Sequence, residues 1–218
     1  MQWRRAMRFC AFGGGLGVGA IAVAGEAPPN LLSFAQGTLP LAVEADAAAR
    51  VRTEHAIRAI DGSTRVYALT APVPPSTTVA FVYALAAPTV FERFSVPGVR
   101  ETPSPSQTFV REVKVFGSPS TSGTEFVLLA SGTLAAGARP DDAIELAVHR
   151  RDRVRRVRVE LSGALDPARP ALTLEFSEIV GEGRQEDVPT RSAFAGVWQG
   201  RGVALALSLD GAVVAGWG

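Results

Sequence analysis

Short apolar runs, each long enough for one strand and each cut off by Pro, Gly, Ser or Asp, recur along this chain and constrain its fold more than any other feature. Asn30-Leu31-Leu32 opens the series and Ala59-Ile60-Asp61-Gly62 follows. Runs then occupy residues 79–85, 90–96, 109–116, 126–134, 154–161 and 172–179, and the series ends at Gly181. Strands packed on one core produce this pattern, whereas alternating strand and helix units would need longer stripes between the runs. The expected architecture is therefore one all-β sandwich of the jelly-roll kind.

Alternation within the runs shows which faces are buried. Val157, Val159 and Leu161 share one face of their run, with Arg156, Arg158 and Glu160 on the other. Leu172, Leu174 and Phe176 oppose Thr173 and Glu175, and Val113 and Val115 oppose Glu112 and Lys114. The run at 79–85 is apolar on both faces, which predicts a central strand. No stripe after residue 65 has helical period. One short helix is expected within 45–60, ending at the Asp61-Gly62 turn.

The ends read differently. Arg4, Arg5 and Arg8 precede an apolar, Gly-rich stretch from Cys10 to Ala24, which closes on the small-x-small triplet Ala22-Val23-Ala24. This is the pattern of a secretory signal peptide over residues 1–24, with an N-terminal membrane anchor as the alternative. Cys10 is the only cysteine, so cleavage would leave a chain without disulfides or thiolate chemistry. Residues 30–183 form the expected sandwich and polar residues 184–193 a linker. A second β unit, with Asp210-Gly211 as a hairpin turn, starts at Phe194 and is incomplete at Gly218, which suggests a piece of a longer protein.

The ordered segments Asn30-Leu31-Leu32, Ala59-Ile60-Asp61-Gly62, Val113-Lys114-Val115-Phe116-Gly117-Ser118, Arg156-Val157-Arg158-Val159 and Phe176-Ser177-Glu178-Ile179-Val180-Gly181 resemble the discoidin family. These modules are also called coagulation-factor type C or galactose-binding-like. The resemblance implies a discoidin-like β-sandwich jelly roll that binds carbohydrate through loops at one end, and it covers about Asn30 to Glu182. It also implies a structural calcium ion held by Asp61, Glu178 and backbone carbonyls. The family's Trp after the Asp-Gly turn is missing, and Tyr67 is the nearest aromatic residue. The start of the second unit resembles modules that precede a peptidoglycan-binding domain of the outer-membrane-protein-A type in bacterial envelope proteins.

The residues themselves narrow the chemistry. Glu178 lies on the phase of Leu172, Leu174 and Phe176, so its carboxylate faces inward and needs a cation or donors. Calcium would suit it together with Asp61; a bulge that turns Glu178 outward, or an Arg partner, are the alternatives. The basic run from His149 to Arg158 suits either acidic glycans or the wet face of a strand. A net charge of +1 gives no field to attract nucleic acid. Neither Gly-x-Ser-x-Gly nor His-Glu-x-x-His occurs, and His55 and His149 lack metal-ligand spacing.

The expected protein is thus an exported, non-enzymatic binding module for a glycan or other envelope component, periplasmic or associated with the outer membrane, with no transmembrane segment in the mature chain. Asp61, Tyr67, Arg100 and Gln107 mark the candidate ligand loops, and 118–124 forms a further one. The competing expectation is a spacer for a downstream anchoring domain.

Overall fold

The computed structural model describes residues 28–45, 49–63, 69–73, 78–97, 107–134, 143–162, 172–188, 196–200, 203–207 and 213–217. The expected signal peptide, Tyr67 and Arg100 lie outside them.

The strands in chain order are β1 (Leu39–Glu44), β2 (Leu69–Val73), β3 (Thr78–Pro97), β4 (Gln107–Phe109), β5 (Glu112–Ser118), β6 (Val127–Thr133) and β7 (Ala143–Glu145). They continue as β8 (Ala147–Val148), β9 (Arg153–Ser162), β10 (Leu172–Phe176) and β11 (Val180–Gln185). Among the described residues one α-helix, α1 (Thr53–Arg58), precedes the Asp61-Gly62 turn as expected. The larger sheet runs β1-β3-β9-β5-β6-β8, with β11 and β7 also paired to β3. The smaller sheet runs β2-β10-β4. The all-β expectation holds.

The core follows the alternation. Val113, Val115, Val157, Val159, Leu161, Phe81 and Tyr83 of the larger sheet are fully buried, together with Phe176 and Ile179. Each such side chain contributes about 1.5–3 kcal/mol relative to exposure. Phe81 and Tyr83 meet edge to face at 6.4 Å. The Tyr83 hydroxyl donates to Ala56 O at 2.9 Å, tying α1 to the sheet. Burial pushes the Tyr83 phenol well up from its usual pKa.

The runs at 79–85 and 90–96 are one strand. β3 is 20 residues long and crosses the intervening Pro88. Its pairing with β9 skips between Ala84 and Thr89, so Pro88 stands where the ladder needs no N–H. The run at 172–179 is instead a shorter strand followed by a crossing: β10 stops at Phe176, and β11 starts only at Val180. β11 continues to Gln185, two residues into the stretch that reads as a linker. β1, with Pro40 in it, and β2 carry too few large apolar residues to stand out in the sequence.

Further along the chain, β12 (Gly196–Gly200), β13 (Val203–Leu207) and β14 (Val213–Trp217) pair as a three-stranded antiparallel meander.

Candidate functional site

The opening, turn and closing segments of the sequence series meet in one polar knot. Asn30 is its hub: Oδ1 accepts from Leu32 N at 3.1 Å and Gly181 N at 2.9 Å, and Nδ2 donates to Ile179 O at 3.2 Å. Leu31 N donates to Gly181 O at 2.7 Å, so three hydrogen bonds clasp the first and last segments. The turn segment joins through Ile179 N to Ala59 O at 3.1 Å and Phe34 N to Ile60 O at 2.8 Å.

Glu178 sits at the centre, 2% exposed. Its burial is not the strand phase read from the sequence, because Phe176, Ser177, Glu178 and Ile179 are all buried and β10 has already ended. The chain here passes between the sheets, and both sides of it are covered. The outward-turning bulge is excluded. No Arg pairs with Glu178 among the described residues; backbone and amide donors serve it instead. Gly62 N donates to its Oε1 at 3.0 Å, and Asn30 supplies a side-chain hydrogen bond. Gly62 reaches this position with φ +86°, a conformation in which a Cβ is strained.

Burial raises the Glu178 pKa from 4.5 to about 7, and the like charge of Asp61 adds to the rise against the donors from Gly62 and Asn30. Asp61 is exposed, and its Oδ1 accepts from Ser63 N at 2.8 Å, an Asx turn that shapes the loop. The structure therefore brings the two predicted carboxylates within electrostatic reach of each other. Among the described residues no cluster of three or more His, Cys, Asp or Glu forms. A cation here would depend on these two carboxylates and neutral oxygens, which is the donor set calcium accepts. Ser177 Oγ, one residue before Glu178, is buried with no partner among the described residues, so an unclaimed oxygen lies in the same turn. The residues fit such an ion in kind.

The other anticipated residues are placed apart. Gln107 opens β4 in the smaller sheet, opposite Thr173 of β10. The loop after β5 is folded on its own hydroxyls: Ser118 Oγ accepts from Ser120 N, and Ser120 Oγ accepts from Ser122 N and Gly123 N. His55 Nδ1 accepts from Arg52 N at 2.9 Å at the start of α1, and burial lowers its pKa. His149 Nε2 and Ser131 Oγ lie 2.8 Å apart at the surface. The basic run divides as its alternation suggests. Arg150 pairs with Asp152 and Arg153 with Glu186, and Arg158 pairs with Glu44 and Glu160. Asn30 as the organising side chain is what the reading of single residues missed; the paired positions of Asn30 and Gly181 at the two ends of the series were its available signal.

No protein-family model matches the sequence, and no curated protein does. Solved structures do resemble the fold. The C-terminal domain of a chitobiase from Bacteroides fragilis superposes with TM-score 0.51 at 11% identity, covering 74% of this chain and 100% of that one. A putative chitobiase fragment from Bacteroides thetaiotaomicron gives 0.50 at 12%, covering 77% and 98%. An F5/8 type C domain from Bacteroides fragilis gives 0.44 at 18%, covering 69% and 99%. The architecture is an all-β, discoidin-like sandwich, as the order of the segments implied. Identities this low establish the fold and nothing more specific. Among the described residues no helix is long and apolar enough to cross a membrane.

Proposed function

We propose that this protein is an exported, non-catalytic binding module that recognises a glycan or another component of the bacterial cell envelope. The observation that carries the reading is the sandwich fold itself, which superposes on the full length of a domain borne at the C-terminus of a chitobiase. Loops on a rigid sandwich are where recognition is usually built. The loops marked by Asp61, Tyr67, Arg100 and Gln107 are the proposed contacts. Calcium is the proposed structural ion, held by Asp61 and Glu178 with neutral oxygens around them. It would lock the turn at 61–63 against the closing segment and thereby set the loop that follows. The additional sheet β12–β14 supports the second reading, a spacer that carries a further anchoring domain. A glycan array probed with the purified protein separates the two. Specific binding to envelope, plant or host polysaccharides supports the module, and silence across all of them supports the spacer.

A further inference from the structure

The outward face of the larger sheet holds a groove of about 450 Å³. Its floor is one row of registered residues across four strands: Ala42 of β1, Val82 of β3, Arg158 of β9 and Phe116 of β5. Ala42 and Val82 are short beside the arginines and the rings of Phe116 and Phe126, so the face is hollowed there. The lip is formed by Gly123 and Thr124, from the Ser-rich loop already marked as a candidate.

The two arginines of the groove are not equivalent. Arg158 stacks over Phe116 at 5.8 Å and is neutralised by Glu44 at 3.0 Å and by Glu160. Arg156 stacks over Phe126 at 5.2 Å, and its Nε donates to Ser120 O at 3.1 Å. No carboxylate pairs with Arg156 among the described residues, and its Nη2 is closed to solvent without a partner. Burying a guanidinium donor unpaired is unfavourable, and a planar carboxylate is the group that matches its fork.

We propose that this groove binds a carboxylated saccharide, a uronate unit whose carboxylate pairs with Arg156. This deepens the glycan-binding reading and rests on it. One unpaired cation, Arg156, beside an Arg158 already neutralised by Glu44 and Glu160 suits a single negative charge and disfavours a dense polyanion. Phe116 and Phe126 offer apolar surface to the sugar's C–H groups, and Glu44 and Thr124 offer partners for its hydroxyls. A peptide fits less well: over β3, β9 and β5 the main-chain groups of the floor are spent on neighbouring strands, so a second backbone finds no ladder across them. The half-buried Phe126 ring stacked on Arg156 would shift to open Nη2 as the carboxylate arrives.

The test is calorimetric titration of the full chain at physiological ionic strength with a short oligogalacturonate, its methyl ester and an acidic peptide. The free acid is expected to bind, and Arg156→Gln to weaken it at least about tenfold, the loss of one charge-assisted pairing. Arg150→Gln, which removes a surface charge already paired with Asp152, should change nothing. Equal binding of the ester, tighter binding of the peptide, an equal loss in Arg150→Gln, or no uronate binding would each overturn the proposal. Circular dichroism checks the fold of the variants. If Arg156→Gln does not fold, amide chemical shifts of the native protein decide: changes at Ala42, Gly123 and Thr124 on adding galacturonate support the groove, and changes confined to 61–63 refute it. Neutral glycans on the array report separately on the end loops. Their binding without uronate binding removes the groove alone, whereas uronate binding without them removes the end-loop contacts.

Discussion

Replacing Glu178 with Gln should stabilise the protein at neutral pH in the presence of a chelator. The side chain is 2% exposed, and its pKa of about 7 stands against 4.5 in the unfolded chain. A raised folded pKa means that the fold favours the protonated carboxyl. That contribution is fully present below about pH 4.5 and is lost as pH rises through about 7. At about 1.4 kcal/mol per tenfold in proton affinity, the loss comes to about 3 kcal/mol by pH 8. Gln keeps the oxygen that accepts from Gly62 N and carries no charge at any pH. Wild type and Glu178→Gln should therefore be nearly equal at pH 4, with the variant ahead by about 3 kcal/mol at pH 8. Taking the difference between the two proteins cancels the titration of every other group they share. Urea denaturation followed by far-UV circular dichroism measures it. Tryptophan fluorescence suits it less, because Trp198 and Trp217 lie in β12 and β14 and not in either sheet of the sandwich. A gap of constant size at every pH, or a wild type that gains on the variant between pH 5 and 8, would refute the reasoning from burial.

Three further outcomes follow from the same geometry. Calcium in excess should raise the wild-type melting temperature at pH 8, EDTA should reverse the rise, and Glu178→Gln should show neither response; a wild type indifferent to both would count against the ion. Asn30→Ala removes the acceptor of Leu32 N and Gly181 N and the donor to Ile179 O, and should cost about 2–3 kcal/mol in urea denaturation. Gly183→Ala would place a Cβ 2.1 Å from Val90 O and 2.9 Å from Phe91 Cα, backbone atoms that cannot swing aside. A loss of about 1–3 kcal/mol is expected, and an unchanged denaturation midpoint would show that β11 separates from β3 at no cost.

Strand content was legible because period-2 alternation is a local property. Val157, Val159 and Leu161 had to share a face whatever the rest of the chain did, and they are buried together. Boundaries were legible only where a breaker acts locally. Pro88 misled because its missing N–H costs nothing at a register shift, and where a register shifts depends on the neighbouring strand. Glu178 was rightly placed inside for the wrong reason. Its apparent phase extended a strand that had ended, and its burial comes from what covers it on either side.

The sequence alone determined an all-β chain, the order of its segments, the turn at Asp61-Gly62 and the buried carboxylate. These rest on local periodicity and turn chemistry, which a few neighbouring residues decide. The tertiary structure decided what the segments do to one another. Asn30 reaches Gly181 across 151 positions, and Gly62 reaches Glu178 across 116. Arg158 acquired two carboxylates while Arg156, two residues away on the same face, acquired none. Pairings at such separations depend on sheet register and loop course. Those follow from the sum of many weak contacts, and no single stretch of sequence encodes them.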